Sequence, residues 1–576
     1  MNLFETVKSA VTVKQAAEHY GYEVNRGDMI CCPFHDDRHP SMKLNRDYFY
    51  CFGCGAYRTM VPCAAAFRGR GSTHDAPLRR SVPERWERWR AVFLDRPVRT
   101  GCRPTAKDAE RGRRKPGGGD AKVSLMEKFN RSGYYRRVLT LAFPVILSQA
   151  GQILVQLVDN AMVGRLGAVP LAGVSFANAV FFMLFVLGTG MSLGLTPLVG
   201  EMYSVSNHRK SAAYLQNSIL FYGCMGVCIF LLAMAVRPFM WHMGQSPEVV
   251  RQAVPYFGYV AVSVIPFMVF ASFKQFLEGV GNTKVAMAII ITSNAINVVF
   301  NWLFIYGHWG FPEMGAAGAG LATLISRVLT PVLIIVYFYR RDSFYRYFRL
   351  FRRENFSWEM IRSLIRVGAP ISLQMFMEGS AFALTGIMMG WVGTVEMAGN
   401  QIASVISNFA FMIILGIGSA VTICVSHAYG QRDWCEIRRY AGTAYRLGLM
   451  WNAVTALLFI SLRRYIPMLF TSDPEVIEMA ARFLVFVAVF QISDGLQASS
   501  VAILRGIQDV KSIMWISFIS YIVISLPIGY CLAFGTEVGA SGLWMGLIIG
   551  LAVAAVLYNA RYRKQMKRSA SVVHAE

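Results

Sequence analysis

Long apolar stretches separated by short polar loops fill the chain from about residue 138 onward. Twelve of them are long enough to cross a bilayer, since about 20 apolar residues in a helix span the hydrocarbon core. They lie at residues 138–161, 171–200, 211–236, 253–277, 285–306, 315–339, 361–389, 396–427, 441–462, 479–504, 513–534 and 539–560. The pattern predicts an all-α polytopic membrane protein with twelve transmembrane helices.

The apolar part also contains two related halves. Sliding the sequence by about 226 residues places Gly190 on Gly416, and a second set of matches places Gly279 on Gly506. Weak internal symmetry of this kind is typical of secondary transporters built from repeats. We therefore predict two six-helix lobes, at residues 126–340 and 361–576, joined by a basic cytoplasmic linker at 341–360.

Composition and charge support a membrane location. The chain is 55% hydrophobic and carries a net charge of +23, with a mean hydropathy of +0.40. These values exclude an ordinary soluble globular protein. Basic residues are concentrated in an Arg-rich stretch near the N-terminus and in loops after the second, sixth and eighth apolar segments, as the positive-inside rule requires. The pattern predicts a multi-pass membrane protein with both termini in the cytoplasm, and a linker held by anionic lipid headgroups.

The first 56 residues have a different character. Cys32 and His35 form one pair of metal-type side chains, and Cys51 and Cys54 form a second pair after a hairpin-length insert. Two such pairs on tight turns suit tetrahedral Zn²⁺ in a closed structural site. We predict a zinc-ribbon-like module at residues 1–56 with these four ligands.

With CPFHDDRHPSMKLNRDYFYCFGCGA in view, this module resembles the zinc-binding domain at the N-terminus of bacterial and mobile-element DNA primases. The resemblance implies that its basic and aromatic strand face contacts single-stranded DNA, through stacking and phosphate contacts. The alternative is that the aromatic side chains only pack a small module. The face consists of Lys43, Arg46, Tyr48, Phe49 and Tyr50.

Residues 57–125 do not continue a primase. They are rich in Arg, Gly and Pro and have no regular hydrophobic period. Such a stretch buries too little apolar surface to offset its ordering entropy. Two interpretations stay open: a disordered linker, or out-of-frame translation that runs on to a second start near Met126. Because no cluster of catalytic carboxylates follows the truncated module, we predict that the protein is not an enzyme.

Three acidic residues fall inside predicted membrane spans: Asp159, Glu378 and Asp494. A charge near the bilayer centre costs roughly 2.5–3.5 kcal/mol on insertion scales, so an intramembrane acid is a candidate functional residue. Gln374 lies one helical turn before Glu378, and Gln497 nearly one turn after Asp494. We predict that these residues face internal polar cavities, although each acid could instead make a structural hydrogen bond to a neighbouring helix.

A second polar group is predicted in the first half. Asn297 and Asn301 are four residues apart and share one helix face. Together with Thr323 in the next span they could offer oxygen ligands to a small cation. The alternative is that the two amides only hold helices together.

These residues carry a second resemblance, over about three quarters of the chain. The motif LVDNAMVGRLG, the span around Glu378, the segment FQISDGLQASSVAILRGIQDVKS and the repeat of six helices are similar to the multidrug and toxic compound extrusion (MATE) family, especially its NorM branch. The resemblance implies a V-shaped fold of twelve helices, a monomeric transporter of the bacterial cytoplasmic (inner) membrane, and exchange of Na⁺ or H⁺ for bulky organic cations or drugs. It assigns Glu378 and Asp494 to a C-lobe cation site and Asp159 to the N-lobe. Some relatives carry a second N-lobe acid where this chain has Asn301.

The mechanism expected from the acids is competition for one negative charge. A buried carboxylate can be neutralised by a proton, by Na⁺ or by a cationic drug, and exchange among them is antiport. Two other functions are considered: a membrane-tethered, primase-like DNA-binding protein and a lipid-linked oligosaccharide flippase. A flippase would favour cationic side chains in the cavity, and Arg327 is the residue to examine. The charged residues near span ends are expected to be solvated: Lys274, Glu278, Arg505 and Asp509.

Overall fold

The computed structural model describes residues 120–573 and part of the N-terminal region: residues 14, 17, 18, 24, 25, 28–30, 42–44, 48–51 and 57–59. The chain divides into two compact units, Met1–Arg103 and Pro104–Glu576.

The N-terminal unit contains a four-stranded antiparallel sheet in which each strand pairs with the next along the chain. Met42 and Leu44 are buried while Lys43 between them is exposed, as the alternation of side chains along a strand requires. The fourth strand lies just beyond residue 56, where the sequence places the end of the module. The strands are β1 (Met29–Ile30), β2 (Met42–Leu44), β3 (Tyr48–Cys51) and β4 (Tyr57–Thr59).

The predicted zinc ligands lie mostly outside the described residues. Cys32, His35 and Cys54 are not among them, while Cys51 ends β3 opposite Met42. Arg46 and most of the stretch 57–125 also lie outside. The ligand set and the DNA-contacting face therefore stay predictions.

In the second unit, the described residues form twelve helical segments long and apolar enough to cross a membrane, which confirms the predicted number and order. They are α1 (Gly133–Gly164), α2 (Ala168–Ser204), α3 (His208–His242), α4 (Pro247–Gly279), α5 (Thr283–Tyr306), α6 (Ala316–Arg340), α7 (Trp358–Val392), α8 (Thr394–Gly430), α9 (Trp434–Ser461), α10 (Pro474–Gly506), α11 (Val510–Phe534) and α12 (Ser541–Arg568). The helix of α1 extends back to Asp120, and that of α12 on to Val573.

The two halves repeat the same packing. In the first half, a Cβ added to Gly279 of α4 would lie 2.9 Å from Val199 Cβ of α2. In the second half, a Cβ on Gly506 of α10 would lie 2.7 Å from Val425 Cβ of α8. Since only glycine allows these close approaches, the glycines matched in the sequence mark equivalent helix crossings.

The halves meet along a seam between α2 and α8. A Cβ on Gly200 would contact the side chain of Ser426, with 3.0 Å to its Cβ, and a Cβ on Gly430 would contact Ser204 Oγ and lie 2.5 Å from the carbonyl oxygen of Glu201. Gly200 and Ser426 are repeat counterparts, as are Ser204 and Gly430. Residues of one half thus touch their own equivalents in the other, so a pseudo-twofold axis passes through the seam.

A second pair of contacts flanks this axis. A Cβ on Gly190 of α2 would lie 2.5 Å from Ser372 Cα of α7. Its counterpart, Gly416 of α8, approaches Ile146 of α1, with 3.2 Å from the added Cβ to the backbone nitrogen of Ile146. The two lobes are therefore held backbone to backbone at symmetry-related points.

Because successive spans cross in opposite directions, the connections after α2, α4, α6, α8 and α10 share one end of the bundle, named here the basic end. Four of these connections are alike, with one residue in the left-handed region followed by Asn or Asp before the next helix. The left-handed residues are Ser206 (φ 58°), Gly281 (φ 82°), Arg432 (φ 56°) and Gln508 (φ 61°).

Polar contacts between the lobes also occur at the basic end. His427 Nε2 lies 2.7 Å from the carbonyl oxygen of Gly279, and Gln508 Nε2 donates to Glu201 Oε2 at 2.6 Å. The connection between the lobes contains a short helix, Asp342–Arg349, with Tyr347 buried against the bundle. These contacts close the basic end.

The expectation that the charged residues near span ends are solvated is wrong for Glu278, which is 4% exposed and lies 3.7 Å from Lys274 Nζ. Asp509 is also largely enclosed and bonds to Arg561 Nε at 2.6 Å. Burial would raise the pKa of Asp509, but hydrogen bonds from Arg561, Gln565 and Ser512 outweigh it and hold the pKa below its ordinary value. Asp509 thus ties the start of α11 to the end of α12.

Candidate coupling sites in the two lobes

The N-lobe group joins three helices around Asp159. Asn301 Nδ2 of α5 donates to Asp159 Oδ1 of α1 and lies 3.2 Å from Asn297 Oδ1, one turn away. Asn297 Nδ2 reaches Ser326 Oγ of α6 at 3.5 Å. Asn301 Oδ1 is buried and has no hydrogen-bond partner among the described residues. The structure therefore brings Asp159, Asn297 and Asn301 together.

Thr323 does not join this group through its hydroxyl. Its Oγ1 donates to the carbonyl oxygen of Ala319 in the same helix, at 3.0 Å. The link to the asparagines passes instead through Ser326, which sequence reasoning missed. Ser326 lies three residues after Thr323 on the same face of α6, so helical spacing could have indicated it.

Arg327 is held by aromatic rings. Its Nη1 donates to Ser263 Oγ at 2.9 Å. The guanidinium carbon lies 5.1 Å from the ring centroid of Phe185, 5.4 Å from that of Phe267 and 5.9 Å from that of Phe181. In the described part of the chain no carboxylate oxygen lies within ion-pair distance of it, although it interacts electrostatically with Asp159. A guanidinium over several ring faces is stabilised by their quadrupoles.

The C-lobe group is built around Glu378 of α7. Gln374 Nε2 donates to Glu378 Oε2 at 2.6 Å, and Tyr521 OH of α11 donates to Oε1 at 3.1 Å. Arg505 Nη2 of α10 donates to Gln374 Oε1 at 2.5 Å. Gln374 therefore bridges the carboxylate and the guanidinium.

Asp494 of α10 belongs to the same group and is 3% exposed. It interacts electrostatically with Glu378, but its Oδ2 has no hydrogen-bond partner among the described residues. Gln497 Oε1 is likewise buried without a hydrogen-bond partner among the described residues, while the Gln497 side chain interacts with Glu378. Buried polar atoms are normally satisfied, so these two oxygens indicate a place for water or a bound cation.

A π-helical turn in α11 positions Tyr521. The segment Phe518–Ser525 is a π-helix, a conformation found mostly as single turns at functional sites. It packs against glycines of α12, since a Cβ on Gly550 would lie 2.5 Å from Ser525 Cβ. The sequence FISYIVIS shows no mark of this conformation, so Tyr521 was missed.

The expectation that Arg505 is solvated is also wrong. Its Nε is buried without a partner among the described residues, and its charge acts on Glu378. The signal was available in the spacing: Arg505 follows Asp494 by about three helical turns and therefore shares its face. The C-lobe thus brings Glu378, Asp494, Gln374 and Gln497 together with Arg505, and their role in coupling stays a prediction.

Comparison with known proteins decides the family. The MatE family model matches residues 144–303 and 370–531, one segment in each half and together more than half of the chain. The chain belongs to the MatE family. A CHC2 zinc finger model also matches residues 1–62. The resemblances drawn from the sequence are thereby confirmed for both parts.

Two relatives of this MatE-family chain carry the name "Probable multidrug resistance protein NorM". The relative from Geobacillus kaustophilus (strain HTA426) is 32% identical over 440 residues, covering 76% of this chain and 96% of the relative. That from Idiomarina loihiensis (strain ATCC BAA-735 / DSM 15497 / L2-TR) is 33% identical over 445 residues, with the same coverage.

A solved structure shares the fold. It is an outward-facing multidrug resistance MATE family transporter of the MOP superfamily, which matches with a TM-score of 0.69 and 22% identity. The match covers 76% of this chain and 96% of that one. Together with the twelve spans, these matches establish a multi-pass membrane transporter rather than an enzyme, as predicted.

Proposed function

We propose that this MatE-family transporter exports organic cations and drugs across the bacterial cytoplasmic membrane in exchange for Na⁺ or H⁺. The NorM relatives, which are named for multidrug resistance, support the substrate class. The acid pair of the C-lobe is the observation that supports the proposed cation exchange. Asp494 is enclosed beside Glu378 and has a carboxylate oxygen without a hydrogen-bond partner among the described residues.

An ionised carboxylate enclosed within the bilayer needs a cation nearby or a proton. A proton, Na⁺ and an organic cation can each meet that need, but they compete for the same oxygens. Antiport results when the site releases one of these cations on one side of the membrane and captures a different cation on the opposite side. The N-lobe group around Asp159 supplies a second place for such exchange.

The basic end faces the cytoplasm in this proposal, by the positive-inside rule. The seam then closes the cytoplasmic side. Alternating access requires the lobes to part there and to approach each other at the opposite end, as repeat-built transporters do. The protein acts as a monomer, because each lobe carries its own acidic group.

Ethidium efflux from proteoliposomes containing the full chain tests the proposal, first under an imposed Na⁺ gradient and then under a pH gradient. Efflux should follow one of the gradients and should be lost in Glu378→Gln and Asp494→Asn. Glu475→Gln is the matched control, since Glu475 lies exposed at the start of α10, the helix of Asp494. Correctly inserted wild-type protein that exports nothing under either gradient would favour the flippase alternative.

We also propose that the N-terminal module binds one Zn²⁺ through Cys32, His35, Cys51 and Cys54. The CHC2 zinc finger match to residues 1–62 supports this. Metal analysis of purified protein should find about one zinc per chain, and Cys51→Ser should lose it while efflux continues, because a structural zinc contributes only to its own module. If the zinc-loaded chain binds single-stranded DNA and Lys43→Ala weakens that binding, the module also contacts DNA.

A further inference from the structure

The C-lobe group contains a cation of its own. Glu378 and Asp494 supply two carboxylates, and Arg505 supplies a guanidinium whose charge acts on Glu378. We propose that Arg505 is a built-in counter-charge that limits this site to one monovalent cation in each transport cycle. The inference rests on the proposed antiport and specifies its stoichiometry.

Arg505 is held in place for this role. Its Nη2 donates to Gln374 Oε1 at 2.5 Å, and the amide of the same Gln374 donates to Glu378 Oε2 at 2.6 Å. The guanidinium is thus fixed one amide away from the carboxylate. In the described part of the chain it makes no direct ion pair with either acid. It therefore neutralises part of the site's charge without occupying the oxygens of Asp494.

The two acids are consequently unequal. Both oxygens of Glu378 accept hydrogen bonds, from Gln374 and from Tyr521. Asp494 keeps a buried Oδ2 to which no side chain or backbone group in the described part of the chain donates. Since hydrogen bonds to a carboxylate favour its charged form, Glu378 acts as the fixed charge and Asp494 as the exchanging one.

The charge balance then sets the stoichiometry. With both acids ionised, the two carboxylates and the guanidinium leave one net negative charge. Because uncompensated charge is strongly disfavoured inside the membrane, one proton or one Na⁺ neutralises the site, and a monovalent organic cation must displace that one ion. Without the guanidinium, the site would need two monovalent cations or one divalent one.

The test counts the cations that tetraphenylphosphonium displaces from the purified full chain. Protons are counted with a pH dye in weakly buffered, Na⁺-free medium, and Na⁺ with an electrode at fixed pH. Wild type and Arg505→Lys should release one cation for each probe bound. One tetraphenylphosphonium carries one charge and so displaces one cation from any variant; the variants are therefore also tested with hexamethonium, which carries two charges. Arg505→Gln should bind hexamethonium more tightly than wild type and release two cations for each one bound, whereas wild type, Arg505→Lys and the Glu475→Gln control should bind it weakly.

Charge rescue provides a second readout. Glu378→Gln leaves Asp494 balanced by Arg505, so the probe should displace no cation and its binding should be lost. The double variant Glu378→Gln/Arg505→Gln restores one net negative charge and should recover binding with one cation released. A purely structural role for Arg505 would make the double variant worse than the single one.

The outcomes separate the two proposals. If wild-type protein binds no tetraphenylphosphonium, the proposed export function fails. If it binds tetraphenylphosphonium but folded Arg505→Gln binds hexamethonium no more tightly than wild type, or releases only one cation for it, the counter-charge is overturned and export stands. If Arg505→Gln does not fold, the wild-type affinity for hexamethonium together with failure or success of the double variant decides.

Discussion

Gly190→Ala probes the seam between the lobes. The added Cβ would lie 2.5 Å from Ser372 Cα and 3.2 Å from its backbone nitrogen. An ordinary carbon–carbon contact is about 3.5–4.0 Å, so the first distance is short by about 1 Å or more. Because the obstructing atoms belong to the backbone of α7, no side-chain rotation relieves the clash, and α2 and α7 must separate.

The free-energy cost of the added methyl group is that of overpacking, typically 1–3 kcal/mol in a well-packed interior. The clash is present in this structure, in which the basic end is closed, and alternating access separates the lobes at that end, so we expect the penalty to fall on the closed state. Since each 1.4 kcal/mol is about a tenfold change in an equilibrium, the open state should gain roughly 5- to 150-fold in population. Gly442→Ala is the control, because its added Cβ meets no atom of the described residues within 4 Å and alanine favours a helix over glycine by about 0.8–1.0 kcal/mol.

Spin labels on Arg209→Cys and Arg438→Cys, both exposed near the basic end of opposite lobes, report the separation. Every native cysteine except the buried Cys424 is first replaced by serine, including Cys224, Cys228 and Cys531, which are exposed in the described part of the chain. Gly190→Ala should shift the distance distribution to longer values and slow efflux, while Gly442→Ala should leave both unchanged. Equal distributions for the two variants would refute the steric argument.

Three further predictions concern single side chains. Arg327→Lys should lower the thermal stability of the purified protein, because an ammonium cannot face several rings at once and each such contact is worth about 0.5–2 kcal/mol. Asp509→Asn should cost about 1.5–3 kcal/mol at neutral pH. The depressed pKa of Asp509 makes its contribution present above the ordinary value of 3.8 and lost as pH falls through the folded-state pKa, so wild type and variant should converge in unfolding scans at the lowest pH. Asn301→Leu leaves Asp159 without its amide donor and should reduce efflux without preventing insertion; unaltered efflux would remove the N-lobe group from the coupling mechanism.

Much of this architecture could be predicted from sequence because the bilayer imposes it. Hydrocarbon thickness fixes span length, so the twelve helices follow from hydropathy. Glu378 and Asp494 could be singled out because charge is rare in lipid, and their amide neighbours because helical spacing places them on the same face. The matched glycines proved to be contact points, since a missing Cβ is what lets two helices approach.

The features that could not be predicted depend on the direction of side chains and on local backbone conformation, which composition does not encode. Arg505 lies at a span end, where a solvated charge is ordinary, and only packing turns it toward Gln374. The hydroxyl of Thr323 returns to its own helix, a choice that helical spacing leaves open. The π-helical turn around Tyr521 and the left-handed Gln508 depend on neighbouring helices and loops rather than on a residue motif.

The contact between Gly200 and Ser426 lies where the proposed transport cycle needs the lobes to separate. Because these two repeat counterparts touch only across the seam, they must move apart whenever the cytoplasmic side opens. A covalent bridge between these two positions would therefore lock the cytoplasmic side shut, and a transporter held in that one state could bind ions and drugs from outside but could not carry them across.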